Sequence, residues 1–295
     1  MINMRTNKLL LMAFAMLLSI AGIAQDDIDN LLNEQGGPDY TTATFKSTRI
    51  INGHSIEQLK AKHLDFRISH RFGSWDQGID NFFGIDNAIT HIGLDYGVTD
   101  RLMVGLGRST YNKTYNGFIR YKIFRQSTGT KNFPFTMSYN LTSEVTSNKW
   151  TKSDVKYYFS NRLTYTHQLL IARKFNESFS LQLTPMLIHK NLVEFSEEKN
   201  DLFVLGAGGR LKLTHRAALT AEYFHAFRSS TNPNTNKDAI SIGFDVETGG
   251  HVFQLFLTTA STATESGFAF GDLNGDLLKN QIHIGFNITR TFSFR

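Results

Sequence analysis

The chain has no cysteine, so no disulfide can brace it in an oxidising compartment, and its fold must be held by packing and hydrogen bonding alone. Helix-period hydrophobicity is nearly absent. Beyond the first 25 residues no apolar run reaches the length of a membrane-spanning helix. Charge of one sign is lacking as well: 31 Lys and Arg stand against 26 Asp and Glu. No basic block is interleaved with aromatics, which excludes a nucleic-acid partner. The ten histidines sit in no CxxCH or HExxH setting and show no i, i+2 pairing on a strand, so they are read as polar lumen or rim residues; no cofactor or metal is expected. Ser69 and His70 adjoin but point to opposite faces of a strand, and the His54–Ser55 pair is equally unspecific. With no nucleophile–base motif, the chain is not read as an enzyme.

What is present is aromatic and β-favouring: 25 Phe, 10 Tyr and 23 Gly, an all-β composition. At the N-terminus Arg5 and Lys8 precede LLLMAFAMLLSIAGIA. This has the form of a secretory signal peptide over residues 1–24, cut between Ala24 and Gln25; a retained anchor is the lesser alternative. Residues 25–61 follow as a polar periplasmic segment, in which residues 26–33 have room for one or two helical turns before Gly36, Gly37 and Pro38. From residue 62 the pattern becomes regular. In KHLDFRISHRF, Leu64, Phe66, Ile68 and Phe72 alternate with Asp65, Arg67, Ser69 and Arg71; in the final QIHIGFNITRTFSFR, Ile282, Ile284, Phe286 and Ile288 alternate with His283, Asn287 and Thr289. A period of two is the signature of a strand with two unlike faces.

Ten further candidate strands lie between these two, making about twelve, each long enough to cross a bilayer when tilted. Tight links (GVTDR, FNESF, THR, TGG) alternate with long ones (GSWDQGIDNFFGIDN, EVTSNKWTKSDVKYYFS, NLVEFSEEKND, RSSTNPNTNKD, STATESGFAFGDLNGDLLK). TYNKTYN and QSTGTKN blur the rule. Short periplasmic turns opposite long extracellular loops, with aromatics such as Tyr96, Tyr115, Phe179, Phe203, Phe227 and Phe292 near the strand ends, predict an antiparallel transmembrane β-barrel over residues 62–295 in the outer membrane of a Gram-negative bacterium, in contact with its lipid. The alternatives are a secreted sandwich or a soluble barrel. The last strand is expected to pair with the first. Arg290 falls on the apolar side, where it either snorkels to headgroups or marks a bulge.

The segment TATFKSTRIINGHSIE, the hairpin ETGGHVFQL and the ending GFNITRTF resemble the pattern of an uncharacterised family of membrane-bound β-barrels found in Bacteroidota, a domain of unknown function. The likeness covers about Thr44 to the C-terminus. It implies an outer-membrane barrel and brings no activity or catalytic residue with it. Outer-membrane barrels tend to end on an aromatic residue read by the insertion machinery, the expected partner in assembly; here Arg295 follows Phe294.

If the apolar residues face lipid, a charged set faces the lumen: Asp65, Arg67, Arg71, Arg120, Lys122, Arg162, Arg210, Lys212, Glu222 and Asp245, with Asp95 among them. Its excess of positive charge would favour anions in a narrow pore for small solutes. Alternatively these charges pair and fill the interior, and residues 42–59, with Phe45, Ile50, Ile51 and Ile56, enter from the periplasmic side to complete a plug. A closed barrel would act structurally or through partners bound by its loops. Asp272, Asn274 and Asp276 have the spacing of calcium ligands, but Leu277 and His283 stand where that loop needs Gly and Glu, so a solvated turn is the better reading.

Overall fold

A computed structural model describes residues 37–149, 156–193, 199–228, 237–271 and 274–294. The signal-peptide reading, the helical turns at 26–33 and Asp272 lie outside these residues. The described residues divide into two compact units, one of residues 37–41 with 126–134 and one of the remainder. In the first, β1 (Asp39–Tyr40) pairs antiparallel with β6 (Ser127–Thr128). The link QSTGTKN therefore carries a strand of its own.

The second unit is a closed barrel of twelve antiparallel strands: β2 (His63–Ser74), β3 (Ala88–Gly97), β4 (Leu102–Ser109), β5 (Tyr115–Phe124), β7 (Thr136–Val145), β8 (Leu163–Lys174), β9 (Phe179–Lys190), β10 (Asp201–Lys212), β11 (Ala217–Ala226), β12 (Ala239–Thr248), β13 (His251–Thr258) and β14 (His283–Ser293). Each strand hydrogen-bonds its sequence neighbours in the barrel, and β14 closes on β2 through pairs such as Asn287↔Ser69 and Thr289↔Arg67. Closure leaves no unpaired edge, which is the condition for strands to lie in hydrocarbon. Among the described residues no helix is long and apolar enough to cross a membrane, so the strands are the elements available to do so.

Outward positions are apolar. Ile92, Leu94, Ile119, Ile242, Leu255 and Leu257 are exposed on the outer wall, while their neighbours in sequence point inward and are buried. Aromatics collect near both rims: Tyr121, Phe124 and Phe253 toward the short turns, Tyr115, Phe203 and Phe227 toward the long links, with the last two in ring contact at 5.4 Å. The tightest hairpin, β12 to β13, turns on Gly249 (φ 50°) and Gly250 (φ 136°), conformations that a side chain would strain.

The outer wall departs from the expected pattern at a few points. His70 lies there, stacked on Phe286 at 5.1 Å, and so does His167, 2.6 Å from the Tyr139 hydroxyl. Reading every histidine as a lumen or rim residue is therefore incorrect, because each of these finds a neighbouring strand's aromatic or hydroxyl group across the outer face. Arg290 stays in phase on the outer wall near the end of β14, its guanidinium 4.9 Å from the Phe292 ring. The irregularity in β14 lies instead at its other end, between His283 and Gly285.

Leu255, midway along β13, is one of the most exposed apolar residues of the outer wall. Leu255→Arg is expected to lower the stability of the vesicle-inserted barrel by about 2–4 kcal/mol, the cost of a cation near the bilayer midplane. Urea titration of heat-modifiable gel mobility measures it, and an unchanged midpoint would contradict a lipid-facing β13.

Candidate functional site

The lumen is where the inward side chains converge, and it is occupied by the chain itself. Residues 44–56 are buried apart from Lys46, which is nearly so. They form a small hairpin, with an Arg49↔His54 bridge and hydrogen bonds from Ile50 N–H to Gly53 O (2.9 Å) and Ser55 N–H to Thr48 O (3.0 Å). The base of this hairpin lies at the short-turn rim, where Lys62 N–H donates to Gly97 O (2.8 Å).

A four-residue turn leaves its central amides without internal partners, and burial makes each unmet one costly. Here the barrel meets them. The Glu222 carboxylate of β11 accepts the Ile51, Asn52 and Gly53 N–H groups at 3.3, 2.6 and 3.2 Å. Gln254 of β13 donates to Ile50 O (2.7 Å), and Asn287 of β14 to Ile51 O (2.9 Å). The Asn52 side chain donates to Ser241 Oγ (2.9 Å) and accepts from Arg71 Nη2 (2.6 Å). Gly53 is required by close approach, since a Cβ there would lie 2.5 Å from the Phe224 ring.

Further toward the rim, Arg120 of β5 donates to Ser55 O (2.9 Å) and Glu57 O (2.8 Å) and contacts His54 Nδ1. Gln182 donates to His54 O (2.7 Å), Arg210 of β10 to Ala43 O (3.1 Å), and Lys46 pairs with Glu247. Phe45, Ile50, Ile51 and Ile56 pack with Leu170, Ala172 and Phe256 into one apolar cluster inside the barrel.

A second insertion comes from the opposite rim. The link after β13 folds into a short helix, α1 (Glu265–Phe270), whose Glu265 and Phe268 are buried. Glu265 Oε1 lies 2.8 Å from His54 Nε2 and 3.4 Å from Arg49 Nη1, so the two insertions meet. Glu144 of β7 accepts the Ser266 N–H at 3.0 Å. Phe268 packs on Phe224 and belongs to an apolar cluster with the inward-facing Met186, Ile188, Leu202 and Val204.

Of the charged residues expected in the lumen, Asp65, Arg67, Arg71, Arg120, Arg210, Glu222 and Asp245, together with Asp95, lie inward and are at most 3% exposed. Lys122 and Lys212 share their phase but stand at the short-turn ends of β5 and β10, half-buried. Arg162 is a correction: it lies in the 3-10 turn ahead of β8, outside the strands, and its Nη1 ties Thr146 O (2.9 Å) to Asn148 O (2.6 Å) across the loop. The strand starts at Leu163 because that turn uses residues 159–162. Arg67 pairs with Asp95 at 2.8 Å.

Pattern reading did not single out Arg49, Asn52 and Glu265, which lie in segments without a period, nor the apolar stretch of inner wall, where a strand's inward face is Met, Ile, Leu and Val; His54 lies in the lumen, in keeping with its reading as a lumen or rim residue. Ser55 Oγ donates to Ser47 O rather than to His54. No cluster of three metal-ligating side chains occurs among the described residues. Asp276 instead caps Leu278 N–H (3.0 Å) and pairs with Lys237 (3.2 Å); these contacts hold its carboxyl below the usual range.

Hydrogen bonds to a charged partner contribute about 1.5–3 kcal/mol, and Glu222 makes three with the hairpin tip. Glu222→Gln is expected to speed amide exchange at Ile51, Asn52 and Gly53 by about tenfold or more, the factor that ~1.4 kcal/mol represents. Hydrogen-exchange mass spectrometry of the peptide spanning residues 48–56 reads this out, and unchanged protection would show that Glu222 does not hold the tip.

A search of curated proteins returns no match. Among solved structures the chain is similar to the NanC porin (10% identity over 79% of this chain and 99% of that one, TM-score 0.47), to the KdgM porin in complex with disordered oligogalacturonate (8%, 79% and 99%, TM-score 0.46) and to an outer membrane channel from Pseudomonas putida F1 (14%, 80% and 98%, TM-score 0.47). Likenesses this distant say nothing of solute or mechanism. The model of the family described as "Membrane bound beta barrel domain (DUF5777)" matches residues 45–292, a span that begins inside the lumen hairpin and ends at the closing strand. The chain belongs to this family of membrane-bound β-barrel domains.

Proposed function

We propose that the chain is an outer-membrane barrel held closed at rest by its own N-terminal hairpin, and that it passes small solutes when the hairpin withdraws. The observation that carries this reading is the bonding of the hairpin tip: Glu222, Gln254, Asn287 and Arg71 hold its backbone and the Asn52 side chain without any covalent tie. Side-chain hydrogen bonds of this kind can be exchanged for water, whereas a lumen meant to be solid is more simply filled with apolar packing.

In this reading residues 1–24 are a signal peptide removed after export, and residues 25–61 start on the periplasmic side, from which the hairpin enters. The short turns are periplasmic and the long links extracellular. The closing strand β14 is the one offered to the insertion machinery. A second reading is favoured by α1, whose Glu265 meets Arg49 from the other rim: a permanently closed barrel that acts through its loops.

Planar-bilayer recording separates them. The intact chain is expected to show no steady conductance at low voltage, and removal of residues 42–58 to produce one. Because the chain has no cysteine, Asn52→Cys with Ser241→Cys, whose side chains are in contact, offers a reversible lock that abolishes any opening until a reductant is added. Steady conductance of the locked chain would refute closure by the hairpin. A folded but silent deletion variant would establish the permanently closed barrel.

A further inference from the structure

The guanidiniums of the lumen fall into two groups. Arg67 is paired with Asp95 and Arg49 with Glu265. Arg71, Arg120 and Arg210 pair with no carboxylate among the described residues; their N–H groups go to neutral acceptors, mostly oxygens of the hairpin and, for Arg120, the His54 ring nitrogen as well. A cation removed from water with only neutral acceptors around it keeps much of its desolvation cost. A carboxylate serves a guanidinium better than a carbonyl does, with roughly twice the bond strength and a geometry that matches both N–H groups.

Arg120 has the setting of a site. It is fully buried in the middle of β5, and Nε donates to Asn140 Oδ1 (3.2 Å). Strand register continues the row: Arg120 lies opposite Asn140 on β7, and Asn140 opposite Gln168 on β8. Ser138 and Thr166 flank that row on the same inner wall. Ser138 Oγ, Thr166 Oγ1 and Gln168 Nε2 are each buried without a hydrogen-bond partner while the hairpin is in place. One cation beside a field of unmet hydroxyl and amide groups matches a solute with one carboxylate and several hydroxyls. The hairpin reaches this wall at the Ser55 and Glu57 carbonyls, which Arg120 Nη1 holds, so such a solute and the hairpin would compete for the Arg120 guanidinium.

We propose that Arg120, with Asn140, Gln168, Ser138 and Thr166, binds a small hydroxylated carboxylate, and that this solute opens the barrel by drawing the Arg120 guanidinium away from the hairpin carbonyls. The proposal rests on the hairpin-closed reading above.

The test uses the full chain in planar bilayers, with glucuronate as probe and glucose as its neutral counterpart of similar size. Glucuronate is expected to raise the open probability about tenfold, the factor for about one strengthened hydrogen bond, and glucose to leave it unchanged. Arg120→Gln should abolish the difference between the two. Should that variant fail to assemble, as judged by heat-modifiable mobility, Gln168→Leu keeps the cation, and a severalfold loss of the glucuronate response is expected from it. Equal opening by sulfate would overturn the hydroxylated-carboxylate class. A chain that opens under voltage, closes under the disulfide made by N52C with S241C, and ignores glucuronate would overturn this inference while leaving the hairpin-closed reading intact. Steady conductance of the locked chain would overturn both.

Discussion

Inside a closed barrel an inward polar side chain has only its neighbours on the wall and the contents of the lumen to bond, and in this protein much of the contents is backbone from the same chain. That constraint runs through the structure. A tight turn exposes amides and carbonyls that cannot pair with each other, so it needs donors and acceptors from outside. The inner wall carries Glu222 for the amides and Gln254, Asn287, Arg71 and Arg120 for the carbonyls. Neither partner is satisfied alone at this depth, and each makes the other's burial tolerable.

The two insertions are held in the lumen by different physics. From the short-turn rim the closure is mostly polar, built from side chains that grip a hairpin's backbone, with Phe45, Ile50, Ile51 and Ile56 filling the space beneath. From the other rim it is mostly apolar: Phe268 and Ala269 of α1 rest on Met186, Ile188, Leu202, Val204 and Phe224. The junction between them is ionic, where Glu265 meets Arg49 and His54. A contact of this kind couples the two insertions, because moving either leaves a buried charge with fewer partners.

How far residue order revealed this depended on the range of the signal. Strand positions were legible to within a few residues, since alternation is local and the sheet's two faces meet unlike surroundings. The regular alternation that begins at residue 62 is observed as β2 from His63. The inward phase of Arg67, Arg71, Arg120, Arg210 and Glu222 followed from the same alternation. Arg162 did not, because a 3-10 turn takes up residues 159–162 ahead of β8. His167 was misplaced for a related reason: a polar residue is assigned to the lumen by type, yet a neighbouring strand supplied Tyr139 on the outer face; His70, on the face opposite Ser69, keeps the outward phase that alternation gives it and meets Thr90 there. The apolar inner wall near α1 was invisible, as nothing in β9 or β10 announces which loop will fold over it.

The sequence by itself determined a cysteine-free chain of about twelve two-faced strands, since alternation is written strand by strand; the structure supplied the count of twelve and the closure into a barrel. The sequence also singled out residues 42–59 as the stretch able to enter. Only the tertiary structure decided what the inward charges do. The partners of Glu222 lie about 170 residues away in the chain, and whether an arginine faces an ion, a carboxylate or a carbonyl depends on which distant segment closure brings beside it.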